Sequence, residues 1–79
     1  MNDPEFRHLL AKARDVQRDG EDAWHVQSTG EKLAVAFVLN RPDWLAVMGY
    51  TLAEAVDRIG PAWLSLIPKV VRELEGEGE

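Results

Sequence analysis

The stretch Leu33-Ala34-Val35-Ala36-Phe37-Val38-Leu39 carries no polar side chain in any direction. A segment apolar all round must be covered on most of its surface, so it has to run through the middle of the fold. It is too short to cross a bilayer, and no membrane partner is expected. The chain is 79 residues long, which leaves room for one core and predicts a single domain over residues 1–79. So small a chain buries a modest share of its surface and commonly needs a disulfide, a metal or self-association as a staple. There is no cysteine, which excludes a disulfide and a thiolate metal site. The 46% hydrophobic content is enough to build a core, and association with another copy is the remaining source of stability.

Periodicity alone does not decide between helix and strand for this run. Ser28 and Glu31 have the spacing of a capping box, which favours a helix over residues 30–40. In the competing arrangement Ser28 to Lys32 is a hairpin loop and Leu33 to Leu39 is a second strand. An isolated two-stranded sheet is marginal in water, and the two alanines suit a helix, so the helix is favoured.

The flanking segments are well punctuated. Residues 3–18 predict a helix, with Asp3 as N-cap, Pro4 in the first turn and Gly20 as terminator. Phe6, Leu9, Leu10, Ala13 and Val16 form its apolar stripe. His8 lies far around from that stripe and is expected to be solvated. Trp24-His25-Val26-Gln27 alternates and predicts an extended segment near 23–27, with Trp24 and Val26 on one side. Pro42 opens a short helix through Met48, capped by Asn40 or Arg41, with Gly49 at its end. Thr51 and Glu54 form a second capping box, opening a helix through Ile59 with Leu52, Ala55, Val56 and Ile59 as its inner face. After the Gly60-Pro61 break, Trp63, Leu66, Ile67, Val70, Val71 and Leu74 keep helical phase straight through Pro68. A kinked helix, or two short helices nearly in line, satisfies both the phase and the proline.

The expected fold is therefore mainly α: a small single-domain helical bundle of about five helices with one short extended segment. The alternative is α+β with a β-hairpin at about 23–39. Residues 75–79 are expected as a frayed acidic tail.

The chemistry in the chain is sparse. Ser28, Thr29 and Thr51 fall at expected helix starts, and Glu31 and Glu54 at capping positions, which is structural employment. Ser28-Thr29-Gly30-Glu31-Lys32 lacks the two spaced glycines of a phosphate loop. His8 and His25 do not make a metal site without several carboxylates. No motif calls for a cofactor. The net charge of −5 weighs against nucleic-acid binding, which needs cations to displace counterions. The segment from Thr51 to Leu74 resembles a helix-turn-helix only in outline. Its second helix offers Trp63, Leu64, Leu66 and Ile67, which bury and do not read base edges.

Three tryptophans in so short a chain supply either core or contact residues. The leading expectation is a protein–protein interaction module, associating with itself or with a protein partner. Its candidate interaction residues are Trp24, His25, Arg41, Trp44 and Trp63, and the extended edge at Trp24–Gln27 is a possible pairing strand across a dimer axis. One alternative is a small nucleic-acid-associated regulator using the basic flank Arg7, Arg14 and Arg18. Another is a ligand-binding protein or enzyme around His25. No basic-then-apolar leader opens the chain, so a cytoplasmic location is expected.

Overall fold

The structure, a computed structural model, describes residues 3–77. It contains α1 (Pro4–Asp19), α2 (Glu21–His25), α3 (Thr29–Val38), α4 (Pro42–Val47), α5 (Leu52–Ile59) and α6 (Pro61–Glu77), with no strand among the described residues. The mainly helical expectation holds, and the hairpin is not needed.

The helices start where the sequence asks them to. The Asp3 carboxylate accepts from the Glu5 N–H at 2.9 Å and from the Phe6 N–H, satisfying donors that α1 leaves free. Both capping boxes form: Ser28 with Glu31 opens α3, and Thr51 with Glu54 opens α5. Helix α3 then packs against every other helix, which is how a segment without a polar face is accommodated. Leu33, Ala34 and Val35 are fully buried, and Phe6, Leu9, Leu10, Ala13 and Val16 of α1 and Leu66, Val70 and Leu74 of α6 join them in a core that also takes in Trp24, Trp44, Leu45 and Ala55 from the short helices.

Helix ends show a recurrent device. Asn40 takes a left-handed conformation (φ 56°), and the Arg41 N–H donates to the Ala36 carbonyl at 2.8 Å. Gly49 (φ 77°) repeats it, with the Tyr50 N–H donating to the Leu45 carbonyl at 3.0 Å. Both are left-handed C-terminal caps that reverse the chain within a residue or two. Asn40 thus terminates α3. The residue before α4 is Arg41, whose side chain makes no capping hydrogen bond.

Four expectations are corrected. Residues 23–27 are not extended: Glu21–His25 is a sixth helix, so Trp24 is buried while Val26 is 84% exposed. An unpaired strand there would leave its backbone groups without partners, whereas a turn of helix satisfies them, and Glu21 and Asp22 suit its positive end. The proposed Trp24–Gln27 edge for pairing across a dimer axis goes with it. Of the two arrangements allowed for the last segment, two short helices in line is overturned: α6 is a single helix with Pro68 inside it, on the solvent side, where the freed Leu64 carbonyl can reach water. The inner face of α5 is only partly inner: Ala55 is buried, but Leu52 and Val56 are exposed. The acidic tail is helical through Glu77, which pairs with Arg14; Gly78 and Glu79 lie outside the described residues.

Candidate functional site

Four of the five candidate interaction residues come together where α2, α3 and α4 meet. The Trp24 and Trp44 rings stack with centroids 4.6 Å apart at 27°. Lys32 Nζ lies over the Trp24 ring, 5.5 Å from its centre, and the Arg41 guanidinium lies over the Trp44 ring, 4.2 Å from its centre. Cations over aromatic faces are attracted by the ring quadrupole. The polar edges are used as well. Trp24 Nε1 donates to the Lys32 carbonyl at 2.9 Å, and Trp44 Nε1 reaches Glu21 at 3.4 Å. His25 packs edge-on against Trp24, with its ring centre 5.1 Å away.

This ladder ties short helices to the core and presents little to a partner, since Trp24 is 1% and Trp44 4% exposed. The Arg41 guanidinium donates to both carboxylate oxygens of Asp43, which holds the Asp43 carboxyl below its usual range and raises Arg41. Trp63, the fifth candidate, stands apart and half-buried, 6.0 Å from the His8 ring.

His8 is exposed but not merely solvated, because its Nε2 meets the Glu31 carboxylate at 2.5 Å. Burial pushes the Glu31 carboxyl upward. The Ser28 N–H, His8, the Ser28 hydroxyl and the nearby charge of Lys12 outweigh it and hold Glu31 below its usual range. Glu31 thereby caps α3 and fastens it to α1.

The basic flank of α1 is largely neutralised. Arg14 pairs with Glu77 and Arg18 with Asp15 and Asp19, while Arg7 is exposed. The Arg14 hydrogen bonds lower the Glu77 carboxyl and raise Arg14. On the second helix of the helix-turn-helix outline, Leu66 is buried and Trp63, Leu64 and Ile67 are half-buried. Among the described residues no cluster of three metal-ligating side chains occurs, and no helix is long and apolar enough to cross a membrane.

The open apolar surface lies elsewhere, at positions the sequence assigned to the core. Leu52 is 63% and Val56 40% exposed, one turn apart on α5. Leu52 also borders a shallow cavity of about 100 Å³ shared with Ala36, Phe37, Asn40, Arg41, Pro42 and Leu45. The signal that could have found this face is the strong amphipathicity of Leu52–Ile59 combined with its shortness. Eight residues give a helix limited length along which neighbours can cover it. Val26, the most exposed large apolar residue described, follows α2 and does not line this cavity.

Compared with protein-family models, curated proteins and solved structures, the chain matches none.

Proposed function

We propose that the chain is a small protein–protein interaction module whose contact face is the open side of α5 together with the cavity beside it. The observation that carries this reading is the exposure of Leu52 and Val56 on one turn-spaced stripe, next to an apolar concavity. Single exposed apolar residues are ordinary, but neighbouring ones continuous with a concavity are the usual mark of a contact surface. Phe37, Pro42 and Leu45 supply the apolar lining, and Asn40 and Arg41 supply a polar border. This is the pattern of an apolar centre with a polar rim.

The other readings draw less support. The nucleic-acid reading depends on free cations, and Arg14 and Arg18 already hold carboxylates. The reading around His25 needs a cleft, and the α5 cavity is lined by other residues.

A photo-crosslinking side chain placed at position 52, with exposed Ala11 as the control position, tests the face in living cells. Protein adducts from position 52 and none from position 11 are expected. No adduct from 52, or equal adducts from both, would sink the reading.

A further inference from the structure

We infer that the groove between α1 and α6 is a second contact surface, and that it takes an acidic segment of a partner protein through Lys69 and Arg72. This groove shares no lining residue with the α5 cavity, so the inference does not rest on the reading of α5.

The groove has a volume of about 450 Å³ and is lined by Phe6 of α1 and by Lys69, Arg72 and Glu73 of α6. Phe6, only 8% exposed, gives it an apolar floor without a hydrogen-bonding side-chain group. Lys69 and Arg72 stand three residues apart on α6, which makes them neighbours on the helix surface, and both are exposed.

Charge decides the occupant. Arg14, Arg18 and Arg41 each hold carboxylates of this chain. Lys69 and Arg72 hold none among the described residues. Glu73 follows Lys69 by one turn, but lysine before glutamate is the less favourable order for a helical pair, and no ion pair forms between them. The charge of Glu73 acts instead on Arg14 of α1, which is raised chiefly by its hydrogen bonds to Glu77 and further by Glu73. Two cations are thus left over an apolar floor without an internal counter-charge. Low-dielectric walls concentrate the field of the charges that line them. A guanidinium offers a carboxylate a two-pronged contact, and the lysine ammonium adds a point charge beside it.

The spacing favours a peptide. Side chains two residues apart on an extended chain share one face and lie roughly 7 Å apart. Neighbours three apart on a helix have Cβ atoms about 5–6 Å apart. An extended segment with acidic residues at alternate positions therefore sets one carboxylate on each cation. A nucleic-acid duplex presents a continuous row of phosphates and calls for a run of cations, which two cations and the carboxylate of Glu73 do not supply. The net charge of −5 repels an acidic partner at long range, so the segment is held at contact and weakly.

Amide NMR signals of the isotope-labelled full chain, followed at physiological ionic strength during titration with a short peptide of alternating glutamate and serine, read the outcome. Saturable shifts are expected at Phe6 and at Lys69 to Glu73. Lys69→Glu/Arg72→Glu should weaken binding by about tenfold with unchanged thermal unfolding, because both side chains are exposed and unpaired. Glu73→Gln should strengthen it, and this variant decides the matter if the double one melts early. The absence of saturable shifts, or equal affinity in wild type and variants, overturns the inference. Tighter binding of a short DNA duplex than of the peptide overturns the acidic segment as occupant. Shifts confined to Leu52 and Val56 also overturn it, while leaving the α5 face standing.

Discussion

Helices α3 and α5 open in the same way, on a serine or threonine cap with a glutamate three residues on, and then meet different surroundings. Leu33, Ala34 and Val35 of α3 are sealed by neighbours on all sides. Leu52 and Val56 of α5 face outward, although they are as apolar as the residues of α3 and in phase with buried Ala55. A capping box decides where a helix begins, and neighbours decide how much of it is dry. Helix α3 has a neighbour on every flank, whereas α5 lies on α3 and α6 at the edge of the molecule.

The comparison breaks if leucines in the two helices cost the same to truncate. Leu33→Ala should lose about 2–5 kcal/mol, the transfer term plus a cavity. That is a large part of the stability expected for a chain of this length. Leu52→Ala should change the unfolding free energy of the monomer by no more than about 0.5 kcal/mol. Urea unfolding at low protein concentration measures both.

A smaller effect compares the caps. Ser28→Ala and Thr51→Ala should each cost about 1 kcal/mol. If Ser28→Ala costs clearly more, the His8–Glu31 link between α1 and α3 is coupled to the cap, and urea titration of the double variant Ser28→Ala/His8→Ala would show non-additivity.

Acid sharpens the same contrast. Glu31 and Glu54 are both held below the usual glutamate range in the fold, Glu54 chiefly by the Thr51 N–H. A carboxyl lowered on folding contributes stability above its unfolded value, about 4.3, and that contribution is lost as pH falls through the folded value. Melting temperature should therefore drop as pH goes below this range. Glu31→Gln should flatten the drop more than Glu54→Gln, because the Glu31 side chain is only 15% exposed.

The smallest effect lies at the ends of α3 and α4, which finish on Asn40 and Gly49 in the same left-handed conformation. Asn40→Gly should raise stability by about 0.5 kcal/mol and Asn40→Ala should lower it, since glycine takes this conformation without strain and alanine does not. Differential scanning calorimetry of the two variants checks the opposite signs.

Much of this fold was legible before any coordinates. Asp3, Ser28 and Thr51 begin helices, and the stripe from Trp63 to Leu74 passes Pro68 unbroken. Each of these signals is local, and the local hydrogen-bonding logic was enough. Three things were not legible, for different reasons. Five residues of α2 are too few to tell a period of two from one of 3.6, so Trp24 and Val26 were placed on one side when the chain separates them. The amphipathicity of α5 says which face is apolar, not whether anything covers it. The sequence leaves the tryptophans as either core or contact residues, and Trp24 and Trp44 stack with each other across 20 residues of chain, a pairing no short-range pattern announces. The exposed apolar residues are Leu52 and Val56 and not the stacked tryptophans, and Arg41 is the one candidate interaction residue that lines the cavity beside Leu52.

The stacked pair has an optical consequence. Two indoles 4.6 Å apart in a fixed orientation couple their electronic transitions, so circular dichroism should carry a signed doublet that reports the α2–α4 junction alone. Their emission is shielded from a dissolved quencher, while half-buried Trp63, beside His8, is within its reach. The molecule thus carries two independent light signals, one for the junction of its short helices and one for the seam between its first and last, without any added label.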